Sequence, residues 1–210
     1  MILTLDEPQT IIDEHLQACP DALLFVGMGL GKTAACLHRL NDLFLSCESI
    51  GALVIAPMRV ANLTWPMEAK KWDQCSWMRV ANLRTEGGQR AFLNGEAFIY
   101  VINYENLEWL VNHYGDRWPF KTVVADELSK LKSFRLRQGG KRAAALAKIA
   151  HPKVKRFIGL TGTPSPNGLQ DLWGSMWFLD GGHRLGRTFD AFRQRWFQKS
   201  FDGYGMQALP

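Results

Sequence analysis

Five short apolar runs, each closed by Gly, Pro, Asp or Asn, constrain this chain more than any other feature: 22–26, 53–56, 98–102, 123–125 and 157–160. Each is too short for a helix and too uniformly apolar for a strand with one wet face, so each reads as a strand buried on both faces. A weaker sixth run spans 78–83. Between them lie amphipathic segments at 33–44, 63–72, 142–150 and 169–178, long enough to cross over a sheet. Strands that alternate with helices predict an α/β domain with a mostly parallel sheet covered by helices on both faces. With 210 residues, 47% of them apolar, the chain suits one such domain. After about Phe201 the pattern dissolves and the tail reads as a loop.

Charge and cysteine usage narrow the class. A net charge of +5 and a pI near 9.1 suit a polyanionic partner without requiring one. The four cysteines form no C-x-x-C pair and no His stands at zinc-ligand spacing, so a reducing compartment is expected. Acids stand within the first seven residues, which excludes a secretory signal, and no apolar stretch is long enough to span a membrane. The expectation is a soluble, cytoplasmic protein.

The segment Gly27-Met-Gly-Leu-Gly-Lys-Thr33 joins the first strand to a helix. Glycines let successive backbone N–H groups turn toward phosphate oxygens, and the helix start adds partial positive charge. Lys32 then reaches the β- and γ-phosphates, and the Thr33 hydroxyl ligates magnesium. The usual G-x-x-x-x-G-K-[ST] pattern has its first glycine where this chain has Val26, and a Gly-rich turn of no function is the bland alternative. Asp126-Glu127 closes the strand at 123–125; Asp126 is typed to hold magnesium and Glu127 to activate water, unless both are merely solvated acids at a strand end.

Together, Gly29-Leu-Gly-Lys-Thr33, Asp126-Glu-Leu-Ser129 and Leu160-Thr-Gly-Thr-Pro-Ser-Pro-Asn167 resemble motifs I, II and III of the Swi/Snf-type DNA translocases of helicase superfamily two. The third block, with Asp171-Leu-Trp173 after it, is the most specific. Val54-Ile-Ala-Pro-Met-Arg59 and Val101-Ile-Asn-Tyr-Glu105 are similar to further family segments, and the resemblance runs from Leu5 to about Phe201. It implies a RecA-like P-loop lobe spanning residues 1–210 that uses ATP and magnesium, with duplex DNA rather than RNA as partner. It also implies nucleotide-binding roles for Gln9 (adenine) and the loop Gly27, Met28, Gly29, Leu30, Gly31, Lys32 and Thr33. Lys32, Asp126 and Glu127 carry the chemistry; Ser129, Thr161, Gly162 and Thr163 couple nucleotide to DNA. Pro57, Arg59, Asn103 and Lys132 face nucleic acid.

Ser129 departs from the family's histidine, and Gln9 reads equally well as part of a helix cap. The segment after Pro164 offers neither a second sheet nor an arginine motif, so a second RecA-like lobe, in cis or in trans, is expected to complete the motor. The compact lobe suits a bacterial or phage protein. A stand-alone nucleotide- or DNA-binding module is the alternative, whereas a GTPase lacks support because no N-K-x-D occurs. The basic run from Lys130 to Arg142 is read either as a DNA surface or as a solvated helix start. The eight tryptophans read mostly as core.

Overall fold

A computed structural model describes residues 4–135, 140–199 and 206–209. Six strands, β1 (Ala22–Phe25), β2 (Ala52–Ala56), β3 (Val80–Asn82), β4 (Ile99–Asn103), β5 (Thr122–Asp126) and β6 (Arg156–Thr161), form one sheet in the order β1-β6-β5-β2-β4-β3. Every neighbouring pair is parallel. The mostly parallel sheet expected from the sequence is therefore wholly parallel, and all six apolar runs are strands.

Strand alternation sorts the core into two layers. Ala52, Val54, Ala56, Ile99, Val101, Val124, Ile158 and Leu160 face one side. There they meet α1 (Glu7–Ala18), α2 (Lys32–Leu45) and α3 (Trp65–Lys71). Leu53, Ile55, Tyr100, Ile102, Val123, Ala125 and Phe157 face the other, under α4 (Glu86–Leu93), α5 (Leu107–Tyr114), α6 (Lys141–Ala150), α7 (Leu172–Asp180) and α8 (Phe189–Trp196). Each fully buried Val, Leu or Ile contributes about 1.5–3 kcal/mol relative to exposure. That drive explains why β2, β4 and β5 are buried along their whole length.

Several expectations change at their edges. The helix expected at 63–72 follows a π-helical turn, Val60–Thr64, and the one expected at 169–178 opens with a 3-10 turn, Leu169–Asp171. Helices α4 and α5, eight residues each, are additional to the helices expected from the sequence. The tail is not only loop: Met206–Ala208 forms β8, antiparallel to β7 (Phe197–Lys199), with Phe197 opposite Ala208. Of the tryptophans, Trp65, Trp72, Trp118 and Trp173 are buried, whereas Trp77, Trp109 and Trp196 stand among the exposed large side chains.

A wholly parallel sheet sends the C-terminal ends of all its strands to one rim. The loops after β1, β2, β4, β5 and β6 hold the glycine-rich segment, Pro57–Arg59, the residues after Asn103, Glu127 and Gly162-Thr163, so the candidate residues share that rim.

Candidate nucleotide site and nucleic-acid rim

The glycine-rich loop leaves β1 and enters α2 through Gly31, whose φ of +67° is left-handed. A side chain there would also collide with Gln9, since a Cβ would lie 2.2 Å from Nε2. The left-handed backbone is what requires glycine here, while Gln9 on α1 would have to shift its side chain to admit a Cβ. Lys32 is the first residue of α2, and its ammonium donates to the carbonyl oxygens of Val26 and Gly27, both at 2.8 Å. Partial burial draws its pKa below the ordinary lysine value, against the pull of Asp126 and Glu127. A cleft of about 340 Å³ opens over this turn, lined by Gln9, Gly29, Gly31, Lys32, Thr33 and Lys71 among others.

The structure shows the helix-cap reading of Gln9. It is the third residue of α1 in a reciprocal capping box: its backbone N–H donates to Asp6 at 2.9 Å, and its amide oxygen accepts from the Asp6 N–H at 3.1 Å. The other end of the same amide lies against Gly31 and borders the cleft.

Strand order brings the acidic and Thr-Gly-Thr segments to the loop. Strand β6 lies between β1 and β5, pairing Phe25 with Thr161 and Asp126 with Leu160. The Val26 N–H donates to the Thr161 carbonyl at 3.1 Å, and Gly162 lies against Val26 and Met28. The Thr161 hydroxyl accepts from the Thr163 N–H at 3.1 Å, which tightens the turn.

The two acids differ in setting. Asp126 is buried at the end of β5 and accepts from the Trp65 indole N–H at 3.0 Å. Burial raises its pKa, and the indole bond opposes that shift. Glu127 is exposed, takes a left-handed φ of +56°, and lies 3.8 Å from Lys130. Left-handed backbone at a non-glycine residue costs roughly 1–3 kcal/mol and is held in place only by its surroundings.

Among the described residues no hydrogen bond links the Ser129 hydroxyl to the Thr161–Thr163 turn. The Asp171 carboxylate accepts from the Asn167 N–H at 2.9 Å and lies 3.7 Å from the Lys132 ammonium. Gly174 on α7 closes the joint, because a Cβ there would come within 2.9 Å of the Lys132 carbonyl.

Of the nucleic-acid candidates, Arg59 is exposed at the turn after β2, with Pro57 two residues before it. Asn103 is buried at the end of β4 and donates to Glu105 at 2.8 Å. Lys132 is half-buried against Asp171. Much of the basic run is engaged within the chain: Lys130 with Glu127, Lys132 with Asp171, Arg142 with Glu105, and Arg135 3.4 Å above the Phe189 ring. Arg137 lies outside the described residues. Trp65, Tyr104 and Asp171 were missed as site residues; Asp171 stood in the quoted pattern, but the two aromatics carry no polar signal in a linear sequence.

Comparison with known proteins bears on the fold and the family. The SNF2-related domain family matches residues 12–204. Protein p41 of Acyrthosiphon pisum secondary endosymbiont phage 1 is 53% identical over 194 residues, which are 91% of this chain and 42% of that protein. The mouse DNA excision repair protein ERCC-6-like is 31% identical over 178 residues, 80% of this chain and 14% of its own length. This chain therefore spans less than half of each of these relatives. The Sulfolobus solfataricus SWI2/SNF2 ATPase core, solved in complex with dsDNA, superposes with a TM-score of 0.74 at 26% identity, over 92% of this chain and 39% of that one. Among the described helices, none is long and apolar enough to cross a membrane. With its six-stranded parallel sheet, RecA-like order and family match over almost its whole length, the chain belongs to the SNF2-related domain family.

Proposed function

We propose that this chain is the ATP-binding lobe of a Swi/Snf-type translocase that hydrolyses ATP with magnesium and moves on duplex DNA once joined to a second RecA-like lobe. The observation that carries the reading is the adjacency of β1, β6 and β5, which brings the glycine loop, the Thr-Gly-Thr turn and Asp126-Glu127 to one rim.

The donor set fits the ligands. The Gly27–Gly31 backbone and the Lys32 ammonium suit the phosphates, and the Gln9 amide borders the same cleft where an adenine edge needs a donor and an acceptor. The Thr33 hydroxyl and the Asp126 carboxylate are hard oxygen ligands of the kind magnesium prefers. When bound, the metal neutralises charge that develops on the phosphates. Glu127, exposed at the end of β5, would orient the attacking water and accept a proton from it. Lys32 and the α2 N-terminus would stabilise the same developing charge. Thr161 and Thr163 report the state of the loop through the Val26–Thr161 bond, and Asp171 carries that report to Lys132. Arg59 faces the DNA backbone, with Asn103 behind it.

Charge-stabilising arginines are assigned to the second lobe, since such a group raises turnover by orders of magnitude. The phage relative supports a bacterial-cell setting, in the cytoplasm. ATP turnover by the 210 residues, with and without duplex DNA, tests the proposal. Nucleotide binding with feeble hydrolysis is expected, rising when a second lobe is supplied. Strong DNA-stimulated turnover by this chain alone contradicts the half-motor reading, and failure to bind nucleotide at all overturns the whole assignment.

A further inference from the structure

Asp126 is held from two directions by aromatic side chains outside the nucleotide-binding segments. The indole of Trp65, fully buried, has one donor and no acceptor, and it spends that donor on Asp126 Oδ2 at 3.0 Å. The hydroxyl of Tyr104, also fully buried, donates to the main-chain carbonyl of Asp126 at 2.8 Å. Strand β2 pairs with β5 only as far as Ile55–Ala125, so Asp126 has no ladder partner on that side and the tyrosine supplies a bond there. A bond to a carboxylate is shorter and stronger than a neutral one. Together the two donors restrain both the rotation of the carboxylate and the end of the strand that bears it.

Where these aromatics come from matters as much as what they touch. Trp65 begins α3 directly after the π-helical turn 60–64, and its own backbone N–H donates to the Val60 carbonyl five residues back. Such turns re-aim the side chains that follow them. Arg59, the exposed cation of the rim, is the N-cap of that turn. Tyr104 directly follows Asn103. Each aromatic thus follows directly in the chain from one of the two segments assigned to the DNA side.

We propose that Trp65 and Tyr104 are positioning residues for Asp126, setting its carboxylate for magnesium and making that placement depend on whether the Arg59 and Asn103 segments hold DNA. The proposal rests on the reading of this chain as a translocase lobe. It adds a second connection between DNA and nucleotide, separate from Thr161–Thr163, and by linkage the coupling acts equally in both directions.

The test uses the full chain, its Trp65→Phe and Tyr104→Phe variants, a fluorescent ATP analogue, magnesium titration and a short duplex DNA. Phenylalanine keeps the apolar bulk and removes only the donor. Partners that orient a metal ligand typically alter metal affinity by roughly tenfold or more. Trp65→Phe is expected to raise the magnesium concentration for half-maximal analogue binding by about that factor. Tyr104→Phe, which acts through the main chain, should raise it by about threefold. In both, duplex DNA should no longer tighten analogue binding, while DNA affinity without nucleotide stays at the parent value. Thermal melting and circular dichroism establish that each variant is folded; if Trp65→Phe does not fold, Tyr104→Phe carries the test alone. Unchanged magnesium dependence with intact DNA coupling in a folded variant overturns the inference and leaves the translocase reading standing. A parent chain that binds the analogue without any magnesium dependence overturns both.

Discussion

The two halves of the sheet are built by different means. In the β1–β6–β5 half, the backbone that carries the candidate chemical groups is set by the main chain: the parallel register, the Val26–Thr161 bond and the left-handed Gly31 fix the segments of Lys32, Thr161 and Asp126, and the Trp65 and Tyr104 side chains add the hold on Asp126. In the β2–β4–β3 half, the rim is tied by side chains: Asn82 donates to Asn62 and accepts from the Arg84 N–H at 2.8 Å, and Asn103 donates to Glu105. Main-chain ladders fix positions tightly, as phosphate and metal chemistry require. Side-chain networks carry exposed cations and can rearrange, which suits a surface that grips a polymer and lets it go.

The contrast can be broken at its strongest point first. Phe157→Ala, in the core under β6, should cost about 3–5 kcal/mol of unfolding free energy in chemical denaturation. It should weaken nucleotide and DNA binding together, because it loosens the frame that both halves share. Lys32→Ala should reduce ATP affinity by at least about 30-fold in titration calorimetry, from the ~2 kcal/mol or more that a lost charged contact costs. DNA binding at the other half should be nearly unchanged. An affinity that survives Lys32→Ala would show that the loop is not the phosphate cradle.

Arg59→Ala has the converse signature. DNA affinity should fall and the slope of log affinity against log salt should drop by about 1, while nucleotide affinity is retained. An unchanged salt slope would remove Arg59 from the DNA surface. The smallest effect belongs to the strained turn that joins the halves. Glu127→Gly relieves the left-handed backbone and should gain up to about 1 kcal/mol of stability while depressing turnover in the completed motor. A loss of stability would show that the Glu127 side chain, with Lys130, matters more than the backbone strain.

How much of this was legible in the sequence follows the same division. The strands were readable because each centres on a short apolar run, the pattern of burial on two faces, and β3, which contains Asn82 and is only partly buried, carries the weakest signal. The loop, Asp126-Glu127 and Thr161-Gly-Thr163 were readable because phosphate and metal chemistry restricts residue type at fixed spacing. Helices α4 and α5 were not, since each is only eight residues long, too short for a helical period to separate from other apolar patterns. Strand β8 is three residues long and exists by pairing with β7, a partner that no local signal announces. The holders of Asp126 were hidden for a related reason. Trp65 lies on another crossover, and a buried indole looks like core until its N–H is seen on a carboxylate. The charge of the 130–142 run was visible from the start, but the acids that engage it, Asp171 and Glu105, come from other elements.

The most direct test is a crystal structure of the chain with magnesium and a non-hydrolysable ATP analogue. The account predicts triphosphate against the Gly27–Gly31 amides and Lys32, with the metal reached by Thr33 and Asp126 and the adenine beside Gln9. Nucleotide bound away from this cleft, or a metal held without Asp126, would contradict it.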